Sequence, residues 1–309
     1  MSDKSVDTGN NDFFFEAHYT QYNIALGARN TYNGVTVDIS KRLKNKYAYS
    51  AILLRQLVIT EFKLRYKGSV LGYVWSLLRP LALFAVLYVV FVQYLKFGAD
   101  IPHFAVSLLL GVVLWNYFVE VTTNGLSSIV NRGDLMRKLA FPRYVIVVAG
   151  SFSALINLAI NLLVVGVFVV LNGVDLSWSI LWLVPLIIQL FVLGLSLAFL
   201  LSALYVKFRD IGYIWELVLQ AGFYATPIIY PITMVTAVSL SAAQIMLLNP
   251  VAQIIQDARA AVISADTPTV ASLYEDPFVR IIPIAIVLIL MVVSVLYFRK
   301  KSPGFAEEI

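Results

Sequence analysis

The sequence predicts an all-α integral membrane protein, and three observations lead there. Hydrophobic residues make up 60% of the 309 residues and charged residues 13%, against about 45–50% and about 25% in soluble domains. Six stretches reach the roughly 20 apolar residues that a helix needs to cross a bilayer. Lys and Arg are divided very unevenly between the segments that join those stretches.

Residues 1–49 are polar apart from the aromatic patch Phe13–Phe15. They lack the apolar core of a cleaved signal peptide and are expected to form a cytoplasmic tail. Residues 50–67 (SAILLRQLVITEFKLRYK) then read as an amphipathic helix. Leu54, Leu57, Val58 and Phe62 share one face, and Gln56, Thr60, Lys63 and Lys67 another. A helix basic on its polar side lies in the plane of the cytoplasmic leaflet, held by anionic headgroups. Gly68 and Gly72 permit the turn from lying flat to crossing, so the interface helix is assigned to 50–72 and the transmembrane region to 73–298.

The crossing helices are expected at 74–95, 104–125, 143–171, 178–205, 212–234 and 279–298, followed by a tail at 299–309. Counted with Arg79, the stretch ahead of the first span, the 126–143 loop, the 205–214 loop and the tail carry 20 Lys and Arg. The opposite side carries 3, Lys96, Arg259 and Arg280. By the positive-inside rule both termini face the cytoplasm.

Several features interrupt this plan. Lys63, Arg65, Lys67 and Arg79 crowd the doorstep of the first span. One reading is a basic cluster that only fixes topology. The other is that they gather an anionic substrate headgroup, for which the planar fork of Arg suits phosphate oxygens. In the fifth span, "GFYATPIIYP" places Pro227 and Pro231 four residues apart, and an interior proline costs about 3 kcal/mol. Broken backbone at membrane depth must be buried in protein or line an aqueous path. The next stretch, 240–263, has two short apolar pieces around Asn249 and Pro250. They read either as re-entrant extracytoplasmic gate helices or as a surface hairpin.

In the 126–143 loop, Gly133 can break a helix and Asp134 can cap the next, while Leu135, Met136 and Leu139 give it an apolar side. This short cytoplasmic helix, bearing Arg137 and Lys138, is either solvated topology charge or a plug into a soluble partner. Glu120 is the acid well inside a predicted span. It is either a hydrated interfacial group or a functional one. Aromatic residues recur in the spans, among them Trp75, Phe84, Tyr88, Tyr117, Phe118, Tyr224 and Tyr230. Those near span ends fit interfacial belts, and the deeper ones fit a pore lining whose rings stack on sugar faces without fixing one geometry.

Other chemistry is excluded or disfavoured. No Gly-rich Lys-Ser/Thr phosphate loop occurs, so the chain is not expected to hydrolyse ATP. There is no cysteine, His18 and His103 are far apart, and no nucleophile–His pair or metal-ligand cluster is evident, so no catalytic or metal residues are assigned. Energy for uphill movement would come from a cytoplasmic partner.

The blocks EFKLRYKGSVLGYVWSLLRPL (61–81), NRGDLMRKLAFPR (131–143), YVKFRDIGYIW (205–215), ATPIIYP (225–231) and LNPVAQIIQDAR (248–259) carry a resemblance. In order and from about residue 50 onward, the chain resembles the permease subunit of ABC polysaccharide exporters of the ABC type 2 family. That group handles O-antigen, teichoic acid and capsule-type glycans. The resemblance implies a homodimer of six-span subunits in the bacterial inner (plasma) membrane, with two copies of a cytoplasmic ABC ATPase subunit that holds ATP and Mg. This chain itself would bind no cofactor. The implied substrate is a lipid-linked polysaccharide on a polyprenyl pyrophosphate, and no nucleic-acid partner is implied. Helix 50–67 would be the interface helix, 131–141 the coupling helix (Asn131, Asp134, Leu135, Met136, Arg137, Lys138 and Phe141), and 234–262 the gate helices. One departure is Arg79–Pro80, where the family favours Asn-Pro. Two other functions stay open, a drug or small-lipid exporter and a membrane-embedded polyprenyl-glycan transferase.

Overall fold

The computed structural model describes residues 50–61, 74–98, 101–138, 141–175 and 177–308. The expected N-terminal tail lies outside the described residues, as do Lys63, Arg65, Lys67, Gly68 and Gly72 and the side chains of Leu135, Arg137 and Lys138. Among the described residues all regular structure is helical.

Residues 50–61 form α1. The first span is α2, Val74–Leu87, continued by a π-helical stretch Tyr88–Tyr94. Pro80 sits inside α2 and cannot donate to the carbonyl of Ser76. Helix α3 runs from Phe104 to Ser128, the short α4 from Gly133 to Lys138, and α5 from Tyr144 to Leu171. A 3-10 turn Trp178–Trp182 leads into α6, Leu183–Lys207. Then come α7, Ile211–Ala225; α8, Ile232–Val238; α9, Leu240–Leu247; α10, Pro250–Val262; and α11, Val270–Leu273. Helix α12, Ile282–Lys301, and the single turn α13, Phe305–Glu308, close the chain.

Five helical stretches among the described residues are long and apolar enough to cross a membrane: Val74–Tyr94, Phe104–Ser128, Tyr144–Leu171, Trp178–Lys207 and Pro277–Gly304. The protein is therefore a multi-pass membrane protein. Sequence reasoning expects a further crossing at 212–234, interrupted at Pro227 and Pro231; α7 stops after 15 residues, about 22 Å of helix against a hydrocarbon core of about 30 Å. The cause is local. Thr226 precedes Pro227 and is extended at φ −96°, ψ 137°, as a pre-proline residue prefers, and Pro227 has no N–H to continue the helical ladder.

Helix α3 is the centre of the bundle. Val106 to Trp115 are buried without a break, the pattern of a helix apolar all round. It packs against α5 on one side and α6 on another. A Cβ added at Gly194 of α6 would lie 2.4 Å from Val121 Cγ1. Two long helices thus meet at van der Waals contact where a side chain has been left out.

A second apolar cluster gathers at one end of the bundle, where Ile129, Met136, Ile146, Phe199, Phe298 and Phe305 are buried together. Phe199 and Phe298 have ring centroids 5.0 Å apart, and Phe298 and Phe305 5.4 Å. The end of the chain is thereby folded back under α4.

Candidate functional site

The break after α7 is organised by a residue that the sequence reading treats only as loop charge. Arg259 lies on α10 and is 3% exposed. Its Nε donates to the Ser107 carbonyl at 3.0 Å, Nη1 to that of Pro227 at 2.7 Å and Nη2 to that of Ile228 at 2.7 Å. Two of these acceptors belong to the segment where the prolines interrupt the ladder. The guanidinium, with donors fixed in a planar fork, replaces the partners that the helix cannot supply and ties the break to α3. A Cβ at Gly111 would lie 2.6 Å from Nη2, so a glycine on α3 leaves the room that the guanidinium occupies.

Helix α10 is fixed at its start and along its face. Asn249 caps α10 by accepting from Val251 N–H at 3.0 Å, with Pro250 in the first turn. Nine of the 13 residues of α10 are buried, so this helix is inserted among its neighbours and is no surface hairpin. Gln189 Nε2 donates to Gln253 Oε1 at 2.8 Å, and Ser179 Oγ to the Ala261 carbonyl at 2.7 Å, joining α10 to the start of α6.

Between α2, α3 and α5 lies a cavity of about 970 Å³, at the upper end of ordinary ligand pockets. Helix α3 contributes Val113, Asn116, Tyr117, Glu120 and Asn124, one stripe at helical spacing. Helix α5 contributes Asn157 and Asn161, four residues apart, and α2 contributes Trp75, Ser76 and Arg79. Asn157 Nδ2 donates to Glu120 Oε1 at 2.9 Å, and Asn161 Nδ2 to the Asn157 carbonyl at 2.8 Å. Asn116 Nδ2 and the Tyr117 hydroxyl are buried with no hydrogen-bond partner among the described residues, although Tyr117 is only 3% exposed. Buried polar atoms are normally paired; these two are among six unpaired ones in the described residues, and they alone of the six belong to residues that line the cavity.

The structure therefore brings Trp75, Arg79, Tyr117 and Glu120 to one cavity. The other expected lining residues lie elsewhere. Phe84 is buried, with its ring 5.9 Å from Phe168 and 5.8 Å from Tyr88. The Tyr88 hydroxyl accepts from Gln93 Nε2. Phe118 is buried between Trp115 and Trp215. Tyr224 is 66% exposed, and its carbonyl accepts from the Tyr230 hydroxyl at 3.0 Å. Asn116, Asn157, Asn161 and Arg259 escape the sequence reading. The signal for the amides is a run of polar residues four apart in apolar spans, 116, 120 and 124 on one helix and 157 and 161 on the next.

At the basic end, Asn131 ends up exposed in a 3-10 turn, and Asp134 exposed in the first turn of α4. Met136 turns into the cluster around Phe199, and Phe141 packs on it. Arg132 forms an ion pair with Glu61 of α1. The apolar side of α1, Leu53, Leu54, Leu57 and Val58, packs on Val145 and Ala149 of α5. So α1 is docked on protein, and the Glu61–Arg132 ion pair links it to the turn that precedes α4.

Residues 52–263 match the ABC-2 type transporter family. The chain is 30% identical over 269 residues to an O-antigen export system permease protein RfbA of Myxococcus xanthus, covering 86% of this chain and 98% of the relative. It is 34% identical over 200 residues to a protein of the same name from Klebsiella pneumoniae, covering 64% and 76%. The chain belongs to the ABC-2 type transporter family.

Proposed function

We propose that this ABC-2 type transporter chain is the membrane channel subunit of an ATP-driven exporter, and that its cargo is a lipid-linked cell-envelope polysaccharide. The observation that carries this reading is a polar cavity with Arg79, Glu120 and four amides inside an otherwise apolar bundle, in a chain similar over most of its length to O-antigen export permeases.

In this reading two copies of the chain pair in the bacterial inner membrane with both termini in the cytoplasm, and two ATPase subunits bind below. Helix α7, the extended segment held by Arg259 and α8 together complete the sixth crossing, and α9 and α10 act as gate helices. The pyrophosphate of the polyprenyl carrier is drawn from the inner leaflet by Lys63, Arg65, Lys67 and Arg79. ATP binding closes the partner subunits, and their motion enters through 131–141. The Glu61–Arg132 pair supports this route, since it makes α1 and the coupling turn move together. Packing of Met136 and Phe141 on Phe199 and Phe298 supports it as well, because it carries force from the turn into α6 and α12.

The test is reconstitution of the chain with its ATPase in proteoliposomes loaded with a labelled lipid-linked glycan. ATP should drive the glycan across. The triple variant Asp134→Ala, Arg137→Ala, Phe141→Ala should keep ATP hydrolysis and lose translocation. Translocation at the wild-type rate in that variant refutes the coupling assignment. A lipid-linked glycan that never crosses, while an amphipathic drug does, refutes the cargo.

A further inference from the structure

The cavity differs in character from a phosphate site. Among the described residues that line it, Arg79 and Glu120 are the charged ones, one of each sign. The remaining polar groups are amides and hydroxyls, each able both to donate and to accept. A phosphate only accepts, and beside Glu120 it would meet a second acceptor of like charge. A sugar hydroxyl both donates and accepts, so it can give its proton to the carboxylate and take one from an amide or from the Tyr117 hydroxyl. Trp75 adds a flat apolar face, which suits the C–H face of a sugar ring.

We infer that the cavity between α2, α3 and α5 is a binding site for an uncharged, hydroxyl-rich sugar ring. Glu120 and Asn116 take its hydroxyls, the Tyr117 hydroxyl finds its partner there, and Arg79 stands at the margin for the phosphate to which the ring is attached. This rests on the export reading above and sharpens it. The protein recognises the first sugar next to the carrier, and the lipid phosphate by itself is an incomplete ligand for this site. Asn116 Nδ2 and Tyr117 Oη, two of six buried atoms without a hydrogen-bond partner among the described residues, belong to residues that line this cavity and fit such a guest.

The experiment uses the purified full-length chain in lipid nanodiscs, titrated with hexyl β-glucoside or with hexyl phosphate and followed by tryptophan fluorescence. Hexyl glucoside should give a saturable change that Trp75→Phe removes, and hexyl phosphate should neither give it nor displace the glucoside. Glu120→Gln should weaken the glucoside by about tenfold, the loss expected for one hydrogen bond to a charged group. Tyr117→Phe guards against misfolding. It deletes a hydroxyl that has no protein partner, so the melting temperature should hold or rise while glucoside binding falls severalfold. Hexyl phosphate binding as tightly as the glucoside overturns the inference, as does glucoside binding unchanged in both variants. Continued glycan export by a chain that binds no glucoside would sink this inference and leave the export reading standing. Glucoside binding by a chain that moves no glycan would do the reverse.

Discussion

Arg79 and Arg259 are the same chemical group in two surroundings. Arg259 is buried, and its donors are committed to the carbonyls of Ser107, Pro227 and Ile228. Arg79 is exposed, on the wall of a cavity lined also by Asn116 and Tyr117, whose Nδ2 and hydroxyl have no hydrogen-bond partner among the described residues. A guanidinium taken out of water must be met by acceptors or it costs several kcal/mol, so burial and commitment go together at Arg259. The contrast separates a charge used to hold the backbone from a charge presented to a visitor. The sequence places them on opposite sides of the membrane by charge count, but does not show which of the two is committed to backbone carbonyls.

The comparison breaks first, if it breaks, at Arg259. Arg259→Ala leaves the Pro227 and Ile228 carbonyls without their partner, and at about 1–3 kcal/mol for each buried unpaired group it should cost about 2 kcal/mol or more. Thermal unfolding in nanodiscs should show the loss, with Arg259→Lys in between because an ammonium lacks the fork. A wild-type melting curve for the alanine variant would remove the bracing role. Gly111→Ala comes next. Its Cβ would sit 2.6 Å from Arg259 Nη2, and overpacking of this kind costs about 1–3 kcal/mol. Pairing it with Arg259→Ala should give less than the sum of the two, and strict additivity would mean that they do not act through one another. The smallest effect on stability belongs to Arg79→Ala, within about 0.5 kcal/mol as for exposed side chains. Translocation of the lipid-linked glycan should nonetheless fall, and a stable variant that exports normally would take Arg79 out of the site.

Much of the bundle could be read from the sequence because membrane crossing is a constraint on composition alone. The first and third spans, expected at 74–95 and 143–171, appear as Val74–Tyr94 and Tyr144–Leu171. The Asn249–Pro250 cap and the two helices that flank it follow from local chemistry, which tertiary structure did not override. The interruption at Pro227 was legible, but the shortness of α7 was not, because apolar composition continues past Thr226 while the hydrogen-bond ladder does not. Which side of the protein Arg259 serves was not legible, since its three acceptors lie 31, 32 and 152 residues away along the chain. The cavity was half legible. Glu120 and Arg79 stand out as charges near or within apolar runs, but the amides that share their space acquire meaning only when α3 and α5 are laid side by side.

The ring of Phe305, 1% exposed near the very end of the chain, gives the last residues an importance that their position disguises. Trimming the protein before residue 305 would not remove a loose end. It would pull a stopper from beneath Met136 and Phe298, opening a hole the size of a phenyl group beside α4. Such a shortened protein could be made and inserted normally and still transmit force poorly, a defect easily mistaken for the loss of a docking peptide.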